Sequence, residues 1–186
     1  MVTFLLILSV PSFFLNYALP LIFLAAAAFI IYFYRDPDRA IGEGIVSPAD
    51  GRIAEITENR IEIFMNLFDC HVNRSPCDGT VRAIKYFRGK FFPAFHRLSR
   101  RNERNIIWIE SEDGTLVVEQ IAGIFARRII CYLKEGERVK KGQKIGMIVF
   151  GSRVTLEIPE GYMFIVKKGE KVRAGQTVAV RHEKAH

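Results

Sequence analysis

Two internal repeats constrain this chain more than any other feature of its sequence. Residues 47–56, SPADGRIAEI, match residues 75–84, SPCDGTVRAI, and residues 136–146, GERVKKGQKIG, match residues 169–179, GEKVRAGQTVA. In the first repeat, Pro-x-Asp-Gly favours a turn because Asp bonds to the nearby backbone and Gly accepts positive φ. In the second repeat, two glycines bracket a short basic turn. Each copy therefore predicts a tight turn that leads into a strand.

Short Val- and Ile-rich runs, separated by Gly, Asp and Pro, continue through the chain from Ile41 onward. This pattern is typical of strands joined by tight turns, so we predict a mainly β fold. The stretches 66–74 and 94–103 are the two places where a short helix fits. The predicted strands are 52–57, 60–65, 80–85, 106–110, 115–121, 128–133, 145–149, 153–157, 162–166 and 177–181.

Both repeats resemble the halves of lipoyl- and biotinyl-type barrel-sandwich domains. This resemblance implies a β-hammerhead-like packing of the two halves. Carriers of that type need a lysine in a Met-Lys-like context at a hairpin tip between the halves, and the sequence has none. The repeats therefore indicate a fold and not a carrier function.

The first 34 residues contain no Lys, Arg, Asp or Glu. As a helix, the 18 residues from Tyr17 to Tyr34 rise roughly 27 Å, close to a bilayer core of about 30 Å. We therefore expect residues 1–34 to form a helical membrane anchor ahead of a β-rich domain at 35–186. Two forms of anchor remain open: one helix bent at Pro20, or a hairpin that turns between Pro11 and Pro20.

All 27 basic and 20 acidic residues lie after the apolar segment and give a net charge of +7. This basic excess suits an anionic membrane surface. Nucleic acid is not an expected partner, because the apolar segment predicts a membrane location and an anionic membrane surface already accounts for the basic excess. Arg35 and Arg39, directly after that segment, favour a domain on the cytoplasmic side of the cell membrane.

The chain has three cysteines, Cys70, Cys77 and Cys131, without a close CxxC pair. An odd number without such a pair argues against a disulfide framework and against a tetrahedral zinc site. We therefore expect three reduced thiols and no metal.

Gly151 and Ser152 lie between two strand-like runs, IGMIVF and RVTLEI, and between the two Gly-Glu-x-Val repeats. Glycine leaves its carbonyl open to approach because it has no Cβ. The serine hydroxyl can attack that carbonyl in an N-to-O acyl shift. A Gly-Ser pair alone also marks ordinary turns, so its setting carries the interpretation.

Seven short motifs together resemble the phosphatidylserine decarboxylase family, most closely its short archaeal and bacterial type, which includes archaetidylserine decarboxylases. They follow the family's order and cover almost the whole chain. The motifs are Tyr34–Pro37, Ser47–Gly51, Asp69–Pro76, Asn102–Asn105, Gln120–Gly123 with Arg127–Ile129, Lys141–Gly146 and Phe150–Val154.

The resemblance implies a chain that cuts itself between Gly151 and Ser152. The products would be a β subunit, 1–151, and an α subunit, 152–186, with Ser152 converted into a covalent pyruvoyl cofactor. The enzyme would convert a phosphatidylserine-type lipid into the ethanolamine lipid and CO2. Diacyl ester tails and archaeal ether tails both remain open. A homodimer of the processed subunits, working at a membrane, is the expected assembly.

The resemblance also assigns residues. It makes Ser152 the nucleophile, His71 the base and later the proton donor, and Asp50 the residue that orients His71. Asp78 occupies the same repeat position as Asp50 and is the alternative for that role. Arg74 stands where longer relatives often have a second histidine, and arginine stays charged near neutral pH. Arg74 is therefore a candidate for substrate binding.

His96 and Arg104 are further candidates for substrate binding. They lie in residues 85–105, a segment rich in Lys, Arg, Phe and Tyr that we interpret as a lid or membrane-docking element. Two other functions compete with the lipid decarboxylase. One is a membrane-anchored lipoyl-like adaptor without catalysis, and the other is a pyruvoyl decarboxylase for a soluble amino acid.

Overall fold

The computed structural model describes residues 1–5, 7, 18–89, 102–123, 128–149 and 152–182. The chain divides into two compact units, Met1–Pro37 and Asp38–His186. The first unit contains helix α1, Ala18–Phe33. Its alanines and leucines are strong helix formers. The helix ends ahead of Pro37, which disfavours a helical conformation for the residue before it.

The predicted N-terminal membrane anchor is wrong. The 16 residues of α1 rise only about 24 Å, against about 30 Å for a bilayer core. Within the described part of the chain, no helix combines the length and the apolar character that crossing a membrane requires. Pro20, where a bend was predicted, is the third residue of α1. Most of the segment from Pro11 to Pro20, where a hairpin turn was the alternative, lies outside the described residues.

Fourteen strands are described in the second unit. They are β1 (Ile45–Val46), β2 (Gly51–Ile56), β3 (Arg60–Met65), β4 (Val72–Arg74), β5 (Gly79–Phe87), β6 (Arg104–Ser111), β7 (Gly114–Ala122), β8 (Arg128–Cys131), β9 (Arg138–Val139), β10 (Lys144–Val149), β11 (Ser152–Glu157), β12 (Tyr162–Phe164), β13 (Lys171–Val172) and β14 (Thr177–Arg181).

The strands form three antiparallel sheets. An eight-stranded sheet has the order β13-β2-β3-β11-β7-β6-β5-β9. Two three-stranded sheets have the orders β4-β10-β8 and β1-β14-β12. Strand β11 therefore lies inside the large sheet, hydrogen-bonded to β3 on one side and to β7 on the other.

The two repeats fold as matched pairs. Strand β13 pairs with β2, and β9 pairs with β5, so each Pro-x-Asp-Gly strand receives one Gly-Glu-x-Val strand. The glycine that starts each first-repeat strand is needed for close approach. A Cβ on Gly51 would lie 2.4 Å from Phe64 O, and a Cβ on Gly79 would lie 2.5 Å from Glu110 O. The repeat glycine therefore admits the neighbouring backbone, and only Gly51 also has positive φ.

All ten predicted strands are present, with ends shifted by a few residues. Four strands of two or three residues, β1, β4, β9 and β13, were not predicted because such short runs have no readable periodicity. The suggested helix at 66–74 is absent, and this stretch forms a turn followed by β4. Most of the other suggested helix, 94–103, lies outside the described residues.

The apolar core lies against the inward faces of the large sheet. Alternation along the strands places wholly buried side chains such as Ile107, Val118 and Leu156 on these faces. The same alternation turns two polar side chains, Asn105 of β6 and Gln120 of β7, into the interior. Buried polar groups need hydrogen-bond partners. These two amides bond to each other near the candidate site, and Asn105 Oδ1 has no partner among the described residues.

Candidate active site

Ser152 is the first residue of β11, where it pairs with Met65 of β3 and with Ala122 of β7. Its side chain is wholly buried. The Ser152 hydroxyl donates to Met65 Sδ at 3.2 Å. A thioether is a weak acceptor and has no basic role near neutral pH. In this geometry the hydroxyl is therefore held in place but not activated.

His71 lies directly before β4 and is also wholly buried. Its Nδ1 atom lies 2.9 Å from Asp69 O. A carbonyl oxygen only accepts hydrogen bonds, so Nδ1 carries the proton and Nε2 carries the lone pair of the neutral ring. The Ile148 N–H donates to His71 O at 3.3 Å, which ties His71 to β10 shortly before the chain reaches Ser152. His71 thus has the tautomer that a base requires.

A chain of buried amides ends beside Ser152. Asn105 Nδ2 donates to Gln120 Oε1 at 2.9 Å, and Gln120 Nε2 donates to Asn73 Oδ1 at 2.8 Å. Asn73 Nδ2 then points at Met65 Sδ, 3.9 Å away. Met65 Sδ therefore accepts from the Asn73 amide, the last in this row of hydrogen bonds, and from the Ser152 hydroxyl. All three amide side chains are wholly buried.

Asp50 and Asp78 make the same structural hydrogen bond in the two repeats. Asp50 Oδ1 accepts from the Ala174 N–H at 2.8 Å, and Asp78 Oδ1 accepts from the Lys141 N–H at 3.0 Å. The two differ in burial and in one contact: Asp50 is buried and Asp78 is exposed, and Asp50 Oδ2 also accepts from Arg39 Nη2 at 2.7 Å. The group that holds the His71 ring here is the Asp69 carbonyl. The orienting role of Asp50 therefore stays a prediction.

The three predicted substrate-binding residues are placed differently. The Arg74 side chain is half-buried and donates from Nη1 to Gly142 O at 2.9 Å. Arg104 begins β6, where it pairs with Ile121, and Ile121 also pairs with Arg153 beside Ser152. This register brings Arg104 to the Ser152 end of the large sheet. His96 lies outside the described residues.

A cavity of about 840 Å³ lies away from Ser152. Its lining includes Pro159, which follows the last residue of β11, whereas Ser152 is the first residue of that strand. The Cys77 thiol faces this cavity, and burial raises its pKa to about 12, so the thiol stays protonated. Cys70, Cys77 and Cys131 are free cysteines. Asp78, the alternative to Asp50, is in the lining of this cavity, whereas Ser152, His71 and Asp50 are not.

The sequence interpretation missed Met65, Asn73, Gln120 and Asn105 as parts of the site. One signal was readable: Gln120 is an amide in LVVEQIA at an inward position of an alternating strand. All three amides also lay within the family-like motifs: Asn73 in Asp69–Pro76, Asn105 in Asn102–Asn105 and Gln120 in Gln120–Gly123. The contact between Met65 and Ser152 was not readable, because it joins residues 87 positions apart.

The family model for phosphatidylserine decarboxylase matches residues 26–180. A provisionally named archaetidylserine decarboxylase proenzyme from Archaeoglobus fulgidus is 55% identical over 180 residues, covering 96% of this chain and 91% of that protein. Its counterpart in Methanococcoides burtonii is 43% identical over 156 residues, covering 82% of this chain and 75% of that protein.

A bacterial relative, the phosphatidylserine decarboxylase proenzyme of Streptomyces griseus, is 43% identical over 159 residues, covering 82% of this chain and 74% of that protein. The motif resemblance is therefore confirmed over most of the length of the chain. On this basis the chain belongs to the phosphatidylserine decarboxylase family.

Proposed function

We propose that this protein is a self-processing decarboxylase that converts a serine phospholipid into the corresponding ethanolamine phospholipid and CO2. The observation that carries the proposal is the buried Ser152 hydroxyl at the start of β11, in a chain of this family. The relatives' names support it, because they combine serine-lipid decarboxylation with a proenzyme. A phospholipid substrate implies work at a membrane surface. The cytoplasmic side and a homodimer stay predictions.

The proposed maturation begins when Ser152 Oγ attacks the Gly151 carbonyl carbon. The peptide C–N bond breaks, and the Ser152 Oγ becomes the oxygen of an ester. Loss of the Ser152 α-proton then expels the Gly151 carboxylate, which keeps the former Oγ, and leaves dehydroalanine. Water displaces the nitrogen as ammonia, and a pyruvoyl group heads the 152–186 fragment. The hydroxyl must first leave Met65 Sδ, because a thioether cannot take its proton.

His71 is the proposed base for this sequence. Its Nδ1–H is held by the Asp69 carbonyl, so its Nε2 is the atom that accepts a proton. In each turnover of the mature enzyme, the protonated Nε2 donates a proton to the product carbon after CO2 leaves, and solvent then restores the proton on Nε2. Arg74 and Arg104 are proposed to bind the phosphate or the carboxylate of the lipid headgroup, since arginine suits both anions. In the structure Arg74 donates to Gly142 O, and Arg104 lies 3.9 Å from Glu119 Oε1 and over the Phe87 ring.

The surroundings of Ser152 fit a pyruvoyl group. When formed, that group supplies an electron sink for the electron pair released with CO2. Its methyl carbon is the former serine Cβ, and Met65 Sδ, a soft and weakly polar neighbour, accommodates a methyl as readily as a hydroxyl. The burial of Ser152 also limits access by bulk water.

A denaturing gel tests the proposal directly. The wild-type chain is expected to give two fragments, 1–151 and 152–186, the second with a blocked N-terminus. Ser152→Ala is expected to give one uncut chain without decarboxylase activity, because the nucleophile is missing. An intact wild-type chain in an active preparation would contradict the pyruvoyl mechanism, and an intact chain without activity would favour the adaptor hypothesis. Vesicles of serine phospholipid with ester or ether tails, compared with free serine, identify the substrate.

A matched pair of variants tests Asp50. Asp50→Ala and Asp78→Ala each remove a hydrogen bond from an equivalent backbone N–H, those of Ala174 and Lys141, and Asp50→Ala also removes the bond from Arg39. Asp50→Ala is therefore expected to cost more stability, by about 1.5–3 kcal/mol for the charged hydrogen bond, so self-cleavage is compared under conditions in which both variants are folded. If Asp50 acts on His71, only Asp50→Ala slows self-cleavage strongly. Equal cleavage rates in the two variants would leave Asp50 with a turn role alone.

A further inference from the structure

The turn between β3 and β4 exposes apolar side chains and buries a polar one, the opposite of an ordinary surface turn. Leu67 and Phe68 are 38% and 66% exposed, whereas the next residues, Asp69 and Cys70, are buried. Turns normally place polar side chains outward and cover apolar ones. Two adjacent large apolar side chains on a turn tip therefore need an explanation beyond the fold. We call residues 66–69 the apolar tip.

The apolar tip is held rigidly by its own polar groups. The Phe68 N–H donates to Asn66 Oδ1 at 2.7 Å, and the Asn66 N–H donates to Asp69 Oδ2 at 2.9 Å. The Asp69 N–H donates to Asn66 O at 3.1 Å. These bonds fix the backbone before any partner arrives, so little ordering entropy is lost on binding.

The apolar tip is joined directly to the candidate active site. It begins one residue after Met65, whose sulfur accepts the Ser152 hydroxyl. At its other end, Asp69 O accepts the His71 Nδ1–H. A surface that receives Leu67 and Phe68 is therefore brought to the end of the sheet where Ser152 lies.

Cations accompany apolar side chains at this end of the sheet. Lys171 Nζ lies 3.7 Å from Asp69 Oδ1 and is largely exposed. The Arg104 guanidinium lies 4.7 Å above the ring of the partly exposed Phe87. Lys171 and the pair of Arg104 and Phe87 lie at the same end of the sheet, because one cross-strand row connects them. The row consists of Lys171, Arg52, Phe64, Arg153, Ile121, Arg104 and Phe87. Apolar side chains flanked by cations are typical of surfaces that enter the headgroup region of anionic membranes.

We propose that the apolar tip inserts Leu67 and Phe68 into a phospholipid membrane and so presents the lipid headgroup to the Ser152 end of the sheet. The identity of the lipid as substrate rests on the proposed function, whereas insertion itself does not. Each side chain is expected to contribute about tenfold to membrane affinity. This is less than for a fully exposed side chain, because part of each is already buried in the folded protein. Loss of both is expected to weaken vesicle binding about 100-fold.

The test compares two double variants of the full chain. Leu67→Ser/Phe68→Ser changes the apolar tip. Met163→Ser/Ile165→Ser changes two apolar residues that are 46% and 51% exposed, close to the average exposure of Leu67 and Phe68. They lie in and directly after β12, which belongs to a different sheet. Binding is measured by co-sedimentation with vesicles of serine phospholipid. Decarboxylation is measured on those vesicles and on a short-chain serine phospholipid dispersed as monomers, and gels check processing of both variants.

The tip variant is expected to lose about 100-fold in vesicle binding and in kcat/KM on vesicles, while keeping its kcat on the monomeric lipid. The β12 variant is expected to match wild type in every measurement. Vesicle binding by the tip variant equal to wild type, equal losses in both variants, or a wild type that does not bind vesicles would each overturn the proposal. A wild type that binds vesicles through the tip but decarboxylates neither lipid would refute the proposed function alone.

Discussion

Replacement of Gln120 tests whether the buried amide chain is formed as the structure shows it. Gln120→Leu keeps most of the side-chain volume and removes both hydrogen bonds of the central amide. Asn73 Oδ1 then loses its 2.8 Å donor, and Asn105 Nδ2 loses its 2.9 Å acceptor. Both groups are wholly buried, so water does not readily replace the lost partner.

The expected loss of stability follows from these two groups. A buried polar group without its partner costs about 1–3 kcal/mol, so the variant is expected to lose about 2–6 kcal/mol. Domains are stable by only about 5–15 kcal/mol in total. Gln120→Leu is therefore expected to be one of the more destabilising conservative changes in the sheet.

The assay is urea unfolding of the uncut Ser152→Ala chain, because two separate fragments would not unfold as a two-state system. A double-mutant cycle with Asn73→Leu provides the control. Removing both partners together is expected to cost less than the sum of the single changes, since apolar pairs leave fewer orphaned groups. Strict additivity, or a loss below about 0.5 kcal/mol for Gln120→Leu, would refute the reasoning, since a buried orphan costs at least about 1 kcal/mol.

Two further predictions concern charge. Arg153 Nη1 lies 2.7 Å from Glu62 Oε2, and both side chains are largely buried, so Arg153→Met is expected to destabilise the uncut chain by about 1–3 kcal/mol. The exposed pair of Arg82 and Glu110 is the control, and Arg82→Met is expected to change urea stability by less than about 1 kcal/mol; equal effects would contradict the burial argument. Burial raises the pKa of Cys77 from 9.0 to about 12, so the folded state favours the thiol. The resulting stability is complete below pH 9 and is lost as pH rises towards about 12. Cys77→Ala is expected to flatten this alkaline loss in thermal melts relative to Cys131→Ala, and an unchanged slope would show that Cys77 does not cause it.

Most of the strands and the family could be predicted from the amino-acid sequence. Alternating Val and Ile runs predicted ten of the strands, because a strand's alternation is a local property. The repeats predicted equivalent turns, and the structure shows Asp50 and Asp78 in matching hydrogen bonds. The family followed from motifs that keep their order along the chain. The apolar N-terminal segment misled the interpretation, because composition gives hydropathy but not the length of the helix that forms.

The surroundings of Ser152 could not be predicted in the same way, because they depend on the tertiary fold. The contact between Ser152 and Met65 and the bond between Gln120 and Asn73 join residues 87 and 47 positions apart. Such pairs depend on strand order and register, which place β11 between β3 and β7. The tautomer of His71 likewise depends on a carbonyl that the 66–69 turn brings to its ring. Local patterns carry no information on these distant pairings, because side-chain periodicity fixes which face a residue occupies and not which strand lies opposite.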